Sequence, residues 1–62
     1  MTKPKCKLIG TDGNVFVLIG KASTALNQAG FKEQAKEMTD KVFACGSYNE
    51  ALQIIMHYVE VS

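Results

Sequence analysis

Cys6, Cys45 and His57 are the side chains of this 62-residue sequence best suited to act as nucleophile, base or metal ligand. A cysteine becomes a strong nucleophile when a base or a positive neighbour stabilises its thiolate, which makes Cys45 with His57 the pair to weigh. On a helical projection Cys45 falls on the apolar stripe of its segment and His57 on the polar side of the next, so the projection sets them apart. A structural metal site asks for several cysteines or histidines at close motif spacings, and two cysteines and one histidine provide none. The six acids are scattered over wet faces, with no pair placed for general acid–base work. The chain is expected to be no enzyme and to hold no metal and no cofactor.

The stretch Gly10-Thr11-Asp12-Gly13-Asn14 is the other place where chemistry could reside. Flanked by "KLI" and "VFVLIG", its Asp-Gly pair reads either as a hairpin turn or as the cap of a helix. A turn that leads from a strand into a helix presents free backbone N–H groups to an anion. Here neither phosphate-loop spacing is met, and Asp12 would repel the anion while serving as a cap. Asp12 and Asn14 also resemble the start of a calcium loop, but the later ligands and the closing glutamate are missing. Gly10, Asp12, Gly13 and Asn14 are therefore read as a structural turn and cap.

The elements that must position these residues follow from periodicity. Lys5 to Ile9 alternates, with Lys5 and Lys7 on one side and Cys6 and Leu8 on the other, which is a short strand with one face on a core. From Asn14 to Gly30, a projection at about 100° per residue gathers Val15, Phe16, Leu18, Ile19, Ala22, Ala25, Leu26 and Ala29 on one arc and leaves Val17 outside it. A strand would explain only residues 15–19, so a helix of about 16 residues is expected, capped by Asp12 or Asn14 and ended by Gly30. "FKEQAKEMTDKVFAC" gives a second amphipathic helix with Phe31, Ala35, Met38, Val42 and Cys45 inward, Glu37 and Lys41 in the favourable i,i+4 order, and Gly46 as its stop. Ser47 and Glu50 have capping-box spacing and open a third helix, "YNEALQIIMH". Its wide apolar arc, from Tyr48 through Met56, marks it as the centre of the core. "YVEVS" then alternates again, with Val59 and Val61 inward and Tyr58 and Glu60 outward, and Glu60 is charge-complementary to Lys5 or Lys7 if the two strands pair.

The expected fold is α+β in the order β-α-α-α-β: one domain spanning 1–62, with three helices packed on a two-stranded antiparallel sheet formed by the chain ends. A sheet of two strands has two open edges, so pairing between protomers is a further expectation. At this length the fold buries only about 60% of the surface of the unfolded chain. The apolar run behind Lys3, Lys5 and Lys7 is too short for a signal peptide, and no window approaches a membrane span. The expected location is the cytoplasm, without a membrane partner, and Cys6 and Cys45 are read as buried free thiols.

"KLIGTDGNVFVLIGKASTALNQAG" together with "GSYNEALQIIMHYVEV" resembles a family of small bacterial and phage proteins of unknown function. Its pattern is K-L-[IV]-G-x-D-G-N-x-F near the start, A-G at the end of the first helix, G-[SD]-Y opening the third, and Y-V-E-V at the close. The resemblance covers nearly the whole chain and implies a small stand-alone protein of phages, mobile elements or their hosts. It supplies no activity, cofactor or catalytic residue. Members carry arginines on the first helix where this chain has Lys21, Asn27 and Gln28.

Two binding functions remain. The first is contact with an unidentified protein partner or a second copy, because Val17 and Phe43 project off the core stripes of their helices and the third helix has apolar surface to spare. The second is a nucleic-acid-associated role in which Lys3, Lys5 and Lys7 neutralise phosphates beside Tyr58. All seven basic residues are lysines, so the bidentate fork of arginine is missing. A helix-turn-helix reading would make Asn49, Glu50, Gln53 and His57 the base readers, a set with an acid and no strong base. Protein contact is the leading expectation.

Overall fold

The computed structural model describes residues 3–8 and 13–61. The elements run β1 (Lys5–Cys6), α1 (Val15–Gln28), α2 (Lys32–Ala44), α3 (Tyr48–Tyr58) and β2 (Glu60–Val61). Among the described residues no helix is long and apolar enough to cross a membrane.

Each helix boundary has a local cause. Asn14 caps α1: its side-chain oxygen accepts from the Phe16 N–H at 2.8 Å, and its carbonyl accepts from Val17 and Leu18. Asp12, the other expected cap, lies outside the described residues, as does Gly10. At the far end Gly30 adopts φ 87°, the Phe31 N–H donates to the Leu26 carbonyl at 2.8 Å and the Gly30 N–H to that of Asn27 at 3.1 Å. Those two bonds form a Schellman motif, with Phe31 folding back on the core next to Leu26. Ser47 caps α3 by accepting from the Glu50 N–H at 3.2 Å, and the Glu50 carboxylate accepts in return from the Gly46 N–H at 3.0 Å. The capping box is thus present, shifted by one residue on its return bond.

β1 and β2 pair in parallel, with Lys5 opposite Glu60 and Cys6 opposite Val61. The Glu60 N–H donates to the Pro4 carbonyl at 2.8 Å. The expected antiparallel pairing is therefore corrected. Parallel strands cannot be joined by a tight turn and need a long crossover, which the three helices between β1 and β2 supply. The side-by-side placement of Lys5 and Glu60 holds in either direction, since side chains at matched register share a face.

The core is built from Cys6 and Leu8, from Leu18, Ile19, Ala22 and Leu26 of α1, from Ala35, Met38 and Val42 of α2, from Ala51 and Ile55 of α3, and from Val59. α1 contributes most to it, which corrects the expectation that the third helix would be central. α3 buries only Ala51 and Ile55, while Tyr48 and Met56 stay exposed. Its apolar arc is wider than α2, α1 and a two-residue strand can cover. Phe16, placed on the core arc by the projection, is also exposed.

Replacing Gly30 by alanine puts a Cβ into the left-handed region and is expected to cost about 1 kcal/mol, and Ser47→Ala removes a cap worth about 1 kcal/mol. Urea unfolding midpoints of the two variants check this. An unchanged midpoint in Gly30→Ala would contradict the Schellman end of α1.

Candidate protein interface

Two grooves flank α1 and divide the residues expected to bind. The first, about 300 Å³, lies where the start of α1, the end of α2 and the start of α3 meet. Its walls are Val15, Phe16 and Ile19, then Val42 and Phe43, then Cys45 through Tyr48 with Ala51. Phe16 is 64% exposed, Phe43 62% and Tyr48 46%. The Phe16 and Phe43 rings are 6.0 Å apart between centroids and tilted by 42°, a geometry in which the edge of one ring approaches the face of the other. Gly13, the last residue of the expected turn, lies beside this cluster: a Cβ there would stand 3.6 Å from the Tyr48 hydroxyl. No described residue of the lining carries a formal charge.

The second groove, about 530 Å³, is lined by Lys5, Cys6 and Lys7 on one side and by Val17, Gly20, Lys21, Thr24, Ala25 and Gln28 on the other. Its described lining carries three lysines and no acid. Val17 and Phe43, grouped by their position off the core stripes, thus serve different grooves. Lys5 and Lys7 share one groove, but Lys3 sits apart: its ammonium donates to the Met56 carbonyl at 3.0 Å and it borders a hollow with Gln53, Met56 and His57.

Tyr58, expected to point outward beside the lysines, is half-buried and held on α2. Its hydroxyl donates to the Glu37 carboxylate, which also meets the Lys41 ammonium at 3.2 Å, and that ammonium lies 5.6 Å from the Tyr58 ring centroid. Hydrogen bonding from Tyr58, then the hydrogen bond and charge of Lys41, hold the Glu37 carboxyl below the usual carboxylate range. Tyr58 and Glu37 raise the Lys41 ammonium in turn.

The two thiols are free and differently placed. Cys6 is buried, and burial pushes its thiol up while Lys21 pulls it partly back. Cys45 is half-buried and directs its S–H to the Val42 carbonyl at 2.9 Å and the Ser47 carbonyl at 3.4 Å, so it is anchored to backbone at the foot of the aromatic groove. Among the described residues no group of three or more His, Cys, Asp or Glu side chains is arranged to hold a metal.

Sequence reasoning missed Phe16, Tyr48 and Lys21. Phe16 lies roughly 100° from the centre of the four buried α1 positions on a helical wheel, a margin that shows only once those positions are known. Phe43 lies about as far from the buried centre of α2, so the two rings project from adjoining margins of their helices and touch. Lys21 could be placed beside Lys5 and Lys7 only once α1 was known to pack along β1.

Set against known proteins, the chain matches no family model, no curated protein and no solved structure.

Two outcomes check this geometry. Because the folded-state pKa of Glu37 lies below its ordinary value of 4.5, its contribution is present above that pH and is lost as pH falls through the lower folded value. Wild-type protein should therefore lose stability on going from about pH 5 to about pH 3 more than Glu37→Gln does, as read by urea midpoints. Under native conditions iodoacetamide should label Cys45 before Cys6, as read by peptide mass spectrometry, and equal rates would place Cys6 outside the core.

Proposed function

We propose that this chain is a small accessory protein of the cytoplasm that acts by binding another protein through the Phe16, Phe43 and Tyr48 groove. The observation that carries the reading is the set of three exposed aromatic rings around an uncharged hollow in so short a chain. Aromatic side chains that offer large area with few rotatable bonds are the residues that most often anchor interfaces.

The scale of the site indicates what it takes. At about 200 Å² per ring, the exposed parts of the three rings amount to roughly 350 Å², less than half of the about 800 Å² that each side of a stable interface buries. The groove is therefore a seat for a few apolar side chains of a partner's segment, with the flanking helix surface as rim. It is too small to serve alone as the whole face of a dimer. The phage or mobile-element setting implied by the sequence resemblance suits a protein whose role is to engage a host or phage protein.

Phe16→Ser and Phe43→Ser test the proposal. Both rings lie outside the core, so each variant should keep the wild-type circular dichroism spectrum. A tagged wild-type copy should retain from host lysate, after nuclease treatment, a stoichiometric protein that neither variant retains. Equal capture by wild type and variants, or loss of the captured material with nuclease, overturns the assignment of this groove. Unfolding of Phe43→Ser with retained binding by Phe16→Ser would make Phe43 a core residue instead.

A further inference from the structure

The lysine groove is a separate feature with its own geometry. Lys5, Cys6 and Lys7 all line it, although neighbouring side chains of an extended segment point to opposite faces. A groove touched by three consecutive residues runs along the edge of the strand, and since no β2 residue lines it, it is the edge opposite β2. In the parallel ladder the Pro4 carbonyl is turned to β2, which by alternation turns the N–H and C=O of Lys5 away from β2 and toward this groove.

The far wall is the α1 face from Val17 to Gln28, which at 1.5 Å per residue is about 16 Å long. An extended segment of about five residues spans that length at roughly 3.3 Å each. The floor of the groove is small: Ala25 and Gly20 lie along it, and a Cβ built at Gly20 would meet nothing within 4 Å. A glycine inside a helix weakens it, and no close approach within the fold requires this one. Its effect is to widen the groove.

We propose that an extended acidic segment of another protein adds here as a third strand on the edge of β1 that carries no strand among the described residues. Its backbone continues the ladder through Lys5. Carboxylates at alternate positions lie beside Lys5 of β1 and Lys7, two residues further on, and Lys21 closes on the segment from α1. The intervening residues turn toward Val17, Gly20 and Ala25, where only small or medium apolar side chains fit. The occupant is thus a sequence alternating acidic and apolar residues. The described lining of this groove has no aromatic ring on which a nucleic-acid base could stack, which favours a peptide over a single-stranded nucleic acid.

The test titrates the full chain, at low ionic strength, with an acetylated and amidated hexapeptide alternating Glu and Val. Amide shifts in the protein's nitrogen–proton spectrum are the readout. Shifts are expected at Lys5 to Lys7 and along the Val17 to Gln28 face of α1, separate from Phe43 and Tyr48. Lys5→Glu combined with Lys7→Glu should weaken binding by about tenfold or more and should bind the Lys-Val counterpart of the peptide. Gly20→Leu, whose Cβ meets nothing within 4 Å, places an isobutyl group at the groove and should abolish binding while preserving the circular dichroism spectrum.

Four outcomes overturn the proposal. No shifts on β1, or shifts confined to the aromatic groove, remove the site. Equal binding of a peptide with proline at its centre removes the strand ladder. Tighter binding of an oligothymidylate than of the peptide makes the surface a nucleic-acid one, and a dimer in sedimentation with the same shifts in the absence of peptide makes a second copy the occupant.

Discussion

One buried alanine in each helix, Ala22 in α1, Ala35 in α2 and Ala51 in α3, sets the terms for the rest of the molecule. Helices that meet over small side chains approach at the close end of the usual 8–10 Å range, and the space left between them is filled by leucine, isoleucine, valine and methionine. Among the described residues no aromatic ring is buried in that core. In a core packed to native density a ring is admitted only where the neighbouring side chains leave it room, and here the aliphatic side chains and the three alanines take that room. The rings are displaced to the perimeter, where Phe31 and Tyr58 are half-covered and Phe16, Phe43 and Tyr48 are exposed.

The same economy makes α1 serve three surfaces. Its Leu18, Ile19, Ala22 and Leu26 face the core, Phe16 turns to the aromatic groove, and Val17, Gly20 and Lys21 turn to the lysine groove. Phe16 and Val17 are neighbours in sequence, but a helical step of about 100° is enough to send them to different sides. A helix with solvent on both flanks has room for such a division.

Much of this was legible in the sequence because it is set by local rules. The 3.6-residue period located all three helices, Gly30 marked the end of the first, and the Ser47–Glu50 spacing identified a cap that forms through the Gly46 N–H, whereas α2 stops at Ala44 with Cys45, not Gly46, as its cap. Strand direction was not legible, because no local pattern says at what angles three helices return the chain. Phe16 was misjudged because a periodicity plot ranks hydrophobicity and cannot tell the margin of an apolar arc from its centre unless the width of the facing helix is known. The lysine groove was only half visible. Lys5 and Lys7 announced themselves by alternation, but Lys21 joins them across a tertiary contact that no local pattern encodes, and Tyr58 was drawn away from them by Glu37 and Lys41 on α2.

The parallel pairing of Lys5 with Glu60 joins residues separated by nearly the entire chain. Its closure entropy is recovered only after the intervening helices have folded and drawn the two ends together. The helix contacts close shorter loops, so of the pairings in the fold this one carries the largest closure entropy, and exchange of the β1 backbone amides with solvent is expected to run ahead of exchange in the helices.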